Sequence, residues 1–177
     1  MNNPDIYLVS DKTQQAFLGR KTVPFDFAAH APKETDELLR RMRRIMREAN
    51  GIGLSANQIG LPHRLFVAEV PGKDGNKFYA VFNPQIEKIE KEKVVMEEGC
   101  LSVPGIYGDV ERPARLTLRG QDKRGKPVRI KAWGMLARVF QHEVDHLDGK
   151  VFLEKAKTTY RAHPQGQSAA QQSFASG

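Results

Sequence analysis

The segment VFQHEVDHLDG, from Val139 to Gly149, carries two histidines four apart, with a glutamate directly after the first. On a helix, residues four apart share a face. His142 and His146 then present two imidazoles to one point, which suits a first-row divalent ion. Glu143 lies one step round the helix. Its longer side chain reaches beside the ion to a bound water, where a general base belongs: the ion acidifies the water and the carboxylate takes its proton. The alternative is a solvated, salt-bridged helix turn that holds nothing.

A catalytic site of this kind needs a third protein ligand. One group of zinc peptidases continues as H-E-x-x-H-x-x-G-x-x-H. Here Gly149 fills the glycine position, but the last position is Phe152, which cannot ligate. Another group uses a downstream glutamate, and the only one after His146 is Glu154. Upstream, Cys100 is the only cysteine, in MEEGCLSVPG. A free cysteine is commonly a small buried hydrophobe. As a thiolate on a strand facing the two histidines, it would instead complete a tetrahedral site with water in the fourth position.

These residues need elements to carry them. MLARVFQHEVDHLDG reads as a helix stopped by Gly149. Earlier, APKETDELLRRMRRIMREANG reads as an amphipathic helix over about 33–50, with Leu38, Met42, Ile45 and Ala49 in one stripe and Leu39 and Met46 beside it. Thr35 is its expected cap and Gly51 its stop. Its arginines, Arg40, Arg41, Arg43, Arg44 and Arg47, form either a polyanion surface or the wet face of the helix. Strand-like runs cover 64–70, 78–84, 90–99, 114–120 and 127–134, separated by turn signals at 71–76, 103–109 and 122–126. Successive strands without alternating helices predict the α+β class: antiparallel sheets packed around a central metal-binding helix, with the amphipathic helix on the N-terminal side. Residues 1–162 are expected to form one catalytic domain. Residues 163–177, rich in Gln, Ser, Ala and Gly, are expected to be a disordered tail.

Bulk properties narrow the setting. The chain has 177 residues, 40% hydrophobic and 28% charged, which is ordinary for a globular protein with a real core. No apolar run approaches the ~18 residues that cross a bilayer. The start, MNNPDIYLVSDK, lacks the basic-then-apolar order of a signal peptide. One cysteine permits no internal disulfide, and a reducing compartment fits. The net charge of +7 favours polyanions or simply a solvated basic surface.

Three stretches together resemble the peptide deformylases. GIGLSANQIG (51–60) is similar to that family's G-x-G-(apolar)-A-A-x-Q motif, with Ser55 in place of the first alanine. EGCLS (98–102) and QHEVDH (141–146) match the second and third motifs fully, in the family's order. The resemblance runs from roughly residue 31 to residue 154.

It implies that Cys100, His142 and His146 bind one divalent ion, Fe(II) first, with zinc, nickel or cobalt as substitutes. It implies that Glu143 is the general base and acid, and that the Gln58 amide and the Leu101 backbone N–H stabilise the oxyanion. Backbone groups near Ile52, Gly53 and Gly105 would take the substrate peptide as an added strand. Apolar residues on the second helix, Met135, Val139 and Phe140, would line a methionine pocket, with Arg138 at its flank. The reaction implied is hydrolysis of the formyl group from N-formyl-methionyl nascent polypeptides, in the cytoplasm of a bacterial-type cell or in an organelle, by a monomer without a membrane partner. After Phe152 no long basic helix pattern follows, so ribosome docking by such a helix has no support. Two other readings remain open: a metallopeptidase built on the same helix, and a non-enzymatic binding protein on the same scaffold. Formate release from formyl-Met peptides without internal cleavage separates the first, and turnover by metal-loaded protein separates the second.

Overall fold

The computed structural model of the chain describes residues 3–72 and 75–161. The expected tail, 163–177, lies outside the described residues. Two helices precede the sheets. In α1 (Lys12–Leu18) the Asp11 carboxylate accepts from the backbone N–H groups of Thr13 and Gln14, each at 2.9 Å. Seven residues are too few for a period to reveal, and the sequence reading missed this helix. In α2 (Pro32–Glu48) the cap is Ala31, not Thr35. Glu34 reaches back to the Ala31 N–H at 2.9 Å, Pro32 opens the first turn, and Thr35 is buried inside the helix. The left-handed residue that ends it is Asn50 (φ 55), one before the expected Gly51.

Among the described residues, eight strands follow the expected α+β pattern: β1 (Gly53–Ser55), β2 (Leu65–Gly72), β3 (Gly75–Ile89), β4 (Lys93–Cys100), β5 (Val103–Pro113), β6 (Arg115–Gln121), β7 (Pro127–Trp133) and β8 (Ala156–Arg161). One sheet has the order β1-β2-β3-β6-β7 and the other β4-β5-β8, with every named pairing antiparallel. Between β7 and β8 runs α3 (Gly134–Leu147), which carries HEVDH.

One segment departs from expectation. Residues 103–109 read as a turn, yet they open β5, the middle strand of its sheet. The glycines there serve contact as well as bending. A Cβ at Gly108 would come within 2.6 Å of the Thr158 carbonyl of β8.

The five-stranded sheet is covered on both faces, which explains the unbroken apolar run of β2. Alternate residues separate: Leu65 and Val67 pack with Met42, Ile45 and Met46 of α2, while Phe66, Ala68 and Val70 pack with Val139, Phe140 and Val144 of α3. The helix α3 thus lies between the two sheets. Its last carbonyls are buried and need donors. Asn57 donates to the His146 carbonyl at 2.6 Å. Thr22 donates to the Leu147 carbonyl through both its N–H and its hydroxyl, each at 2.9 Å. Arg64 reaches that carbonyl at 3.3 Å and the Asp148 carboxylate at 2.8 Å.

The helix then leaves through Gly149 at φ +75, where a Cβ would lie 2.5 Å from the Gly19 carbonyl oxygen. Gly149→Ala should therefore lower stability by about 2 kcal/mol or more, since the left-handed conformation alone costs roughly 1–2 kcal/mol. A shift in the urea unfolding midpoint measures it.

Candidate active site

The end of β4 faces α3, and period two along a strand places Glu98 and Cys100 on one side. The Cys100 sulfur lies 3.1 Å from His146 Nε2, and His146 Nε2 lies 3.2 Å from His142 Nε2. One donor atom from each of the three residues falls within 4.8 Å of the others. One soft thiolate and two imidazole nitrogens aimed at a common point fit a first-row divalent ion.

His142 is held from behind. Its Nδ1 lies 2.9 Å from a Glu98 carboxylate oxygen, which leaves Nε2 toward Cys100 and His146. Glu98 is itself buried and receives Arg112 through two nitrogens at 2.6 and 2.9 Å, and Arg138 at 2.8 Å. Arg112 continues to Asp145 at 2.6 Å. Arg138 also donates to the carbonyls of Val110 and Val94, each at 2.8 Å. Arg138 therefore borders the cleft as expected, but its guanidinium is spent on bridging β4 and β5 to α3.

Charge follows this geometry. Burial is the largest influence on the Cys100 thiol and pushes it up, but His146 and His142 together outweigh it and bring it down to about 5. Burial likewise opposes a charged His142, yet Cys100 and Glu98 raise it well above its ordinary value. Each group thus favours the charged form of the other, thiolate on Cys100 and imidazolium on His142. Burial also pushes Glu98 up, and Arg112 and His142 overcome it to hold the carboxyl far below its usual range. Glu143 goes the other way. Burial raises it, and the two histidines and the Ser55 hydroxyl offset only part of that.

Glu143 sits beside the donor cluster. A Cβ at Gly53 would fall 2.3 Å from Glu143 Oε1, so glycine at 53 is what gives the carboxylate its room. Gln58 is fixed by its own loop: its Oε1 accepts from the Ser55 N–H at 2.9 Å. Its NH₂ is thereby turned toward the Ser102 hydroxyl at 3.1 Å and the Cys100 sulfur at 3.7 Å.

A cleft of about 640 Å³ opens over these groups. Ile52, Gly53, Leu101, Gly105, Met135 and Val139 all line it, as do Gln58, Cys100, His142 and Glu143. Phe140 does not. It is buried between the rings of Phe66 and Tyr79, each 5.4 Å away, and belongs to the core. Sequence reading overlooked Glu98, Arg112, Asn57 and Ser102. For Glu98 a signal existed, since a residue two before the strand cysteine shares its face. For Arg112 none did.

A family model described as polypeptide deformylase matches residues 6–162. The chain belongs to that family. A peptide deformylase of Desulforudis audaxviator (strain MP104C) is 49% identical over 116 residues, covering 66% of this chain and 73% of that relative. Among solved structures, a probable peptide deformylase from Synechococcus phage S-SSM7 superposes with a TM-score of 0.76 at 36% identity, covering 85% of this chain and 97% of that one. The peptide deformylase from Thermotoga maritima gives 0.75 at 34% identity, covering 86% and 97%. As a deformylase the chain is a metal-dependent hydrolase acting on the formyl-methionine amide. No described helix of this deformylase is long and apolar enough to cross a membrane.

Replacing Glu98 by Gln would leave the buried Arg138 without a carboxylate and Arg112 with Asp145 alone. The expected loss is about 3–5 kcal/mol by urea unfolding, as for other broken buried pairs. The folded carboxyl titrates far below the unfolded value near 4.3. Its contribution is therefore full above about pH 5 and is lost as the pH falls below that. A Glu98→Gln protein should show a shallower acid loss of stability than the wild type.

Proposed function

We propose that Cys100, His142 and His146 hold the catalytic ion of this deformylase, and that Glu143 is the group that moves the proton. The observation that carries the reading is the convergence of the three donor atoms within 4.8 Å, beside a cleft that Cys100, His142 and Glu143 line. Family resemblance makes Fe(II) the first choice, with zinc, nickel or cobalt able to substitute. When bound, the ion acidifies a water and polarises the formyl carbonyl.

The protein's own residues do the rest. Glu143 takes a proton from the attacking water and returns it to the leaving amine; burial keeps its proton affinity above that of a free carboxylate, as this shuttle needs. The Gln58 NH₂, already aimed into the site, donates to the developing oxyanion together with the Leu101 N–H, and it does so without a titratable charge. Backbone near Ile52, Gly53 and Gly105 pairs with the peptide as an added strand, while Met135 and Val139 give the methionine side chain an apolar wall. Action as a monomer is part of this reading. The substrate is the formyl-methionyl end of a nascent polypeptide, and the setting is a bacterial-type cytoplasm. Residues 1–162 act as one catalytic unit.

Two measurements test the assignments. Anaerobically purified protein should carry one iron per chain and release formate from a formyl-Met tripeptide. Glu143→Gln should retain the ion but lose about 10²-fold or more in kcat, and near-wild-type turnover in that metal-loaded variant would remove Glu143 from the mechanism. Cys100→Ser should fall well below one ion per chain, because a neutral hydroxyl replaces a soft anion. Full occupancy with normal activity would exclude Cys100 as a ligand.

A further inference from the structure

One polar group beside the site has no role in the scheme above. Ser55 ends β1 and is fully buried, between Leu54 and Ala56, which are equally buried. Its hydroxyl lies 2.7 Å from Glu143 Oε2 and 3.0 Å from the Glu143 backbone carbonyl. The hydroxyl has a single proton, and the shorter contact is to the carboxylate. On the other side, Glu143 Oε1 lies over the bare Cα of Gly53, a residue that lines the cleft. Ser55 does not line it. The two carboxylate oxygens are therefore unequal: one is tied inward to a buried hydroxyl, and the other lies at the cleft wall. An alanine at 55, the residue in the family's motif, offers no donor to the inward oxygen.

We propose that Ser55 is a positioning residue for Glu143, anchoring Oε2 so that Oε1 is the oxygen presented to the reacting water. This rests on Glu143 acting as the base. The effect proposed is one of orientation. A carboxylate with one oxygen fixed has a single orientation relative to the ion and the water, whereas a free one swings about its terminal torsion, which is broad and roughly two-fold. Loss of such orientation costs rate at saturating substrate and leaves binding untouched.

The test is a double-mutant cycle on metal-loaded protein with a formyl-Met tripeptide. Ser55→Ala should lower kcat by about five- to thirtyfold, with KM, ion content and Tm unchanged. In a Glu143→Gln background the same substitution should change kcat by less than about twofold. Ser55→Thr, which keeps the hydroxyl, should stay within about threefold of wild type. A crystal structure of Ser55→Ala should show the Glu143 carboxylate in more than one orientation. Unchanged kcat in Ser55→Ala would overturn the proposal, as would a loss of equal size in both backgrounds. So would Thr performing as poorly as Ala at an unchanged Tm. Failure of the base assignment is read separately, from wild-type turnover in Glu143→Gln alone.

Discussion

The carboxylate of Glu98 is buried between the three-stranded sheet and α3, and it meets Arg112, Arg138 and His142 at once. Taking a carboxylate out of water is expensive unless its oxygens are fully paired. Here two guanidiniums and one imidazole supply that pairing, from two elements. Arg112 belongs to β5, while Arg138 and His142 sit one turn apart on α3. Through Asp145 the same network reaches Lys155, whose ammonium lies 2.7 Å from both carboxylate oxygens. A single buried anion thus fixes the distance between β4 and the helix. That distance is also the one between Cys100 and the two histidines.

The electrostatics of the site follow from this anion. Glu98 stabilises positive charge on the His142 ring, and the two rings stabilise negative charge on Cys100 against its burial. Removal of Glu98 would therefore disturb the ligand set twice, once through the ring's orientation and once through the thiolate. Glu143 feels the two histidines through charge, but its close packing partners lie elsewhere. Its neighbours are Gly53 and Ser55 of β1, in the other sheet. Glu143 and the Cys100–His142–His146 cluster are thus braced by different sheets, with α3 common to both.

Much of this was legible in the sequence. The 3.6 period of the apolar residues located α2, the segment ended by Gly149 located α3, the strand-like runs between turn signals located most strands, and two of the motifs held the three side chains that converge. What escaped did so for physical reasons. Helix α1 and strand β1 are too short to show a period. The opening of β5 looked like a turn because Pro104, Gly105 and Gly108 punctuate it, yet Gly108 is there so that β8 can approach. Phe140 stood on the right helix, but a period cannot say which neighbour a face will meet, and it met Phe66 and Tyr79. Arg112 had no local signal, because its partners Glu98 and Asp145 lie 14 and 33 residues away.

The carbonyls at the end of α3 are tied to Asn57, Thr22 and Arg64, and its ligands face a strand that ends at Cys100. On a growing chain the N-terminal part emerges first. The five-stranded sheet is complete only with β7, and α3 is the next element to appear. It enters a groove whose polar partners are already in place. Until it does, Cys100 is the only one of the three converging side chains that the chain holds. The cluster is therefore completed by a late element of the sequence, and a chain interrupted before residue 146 is a scaffold without it.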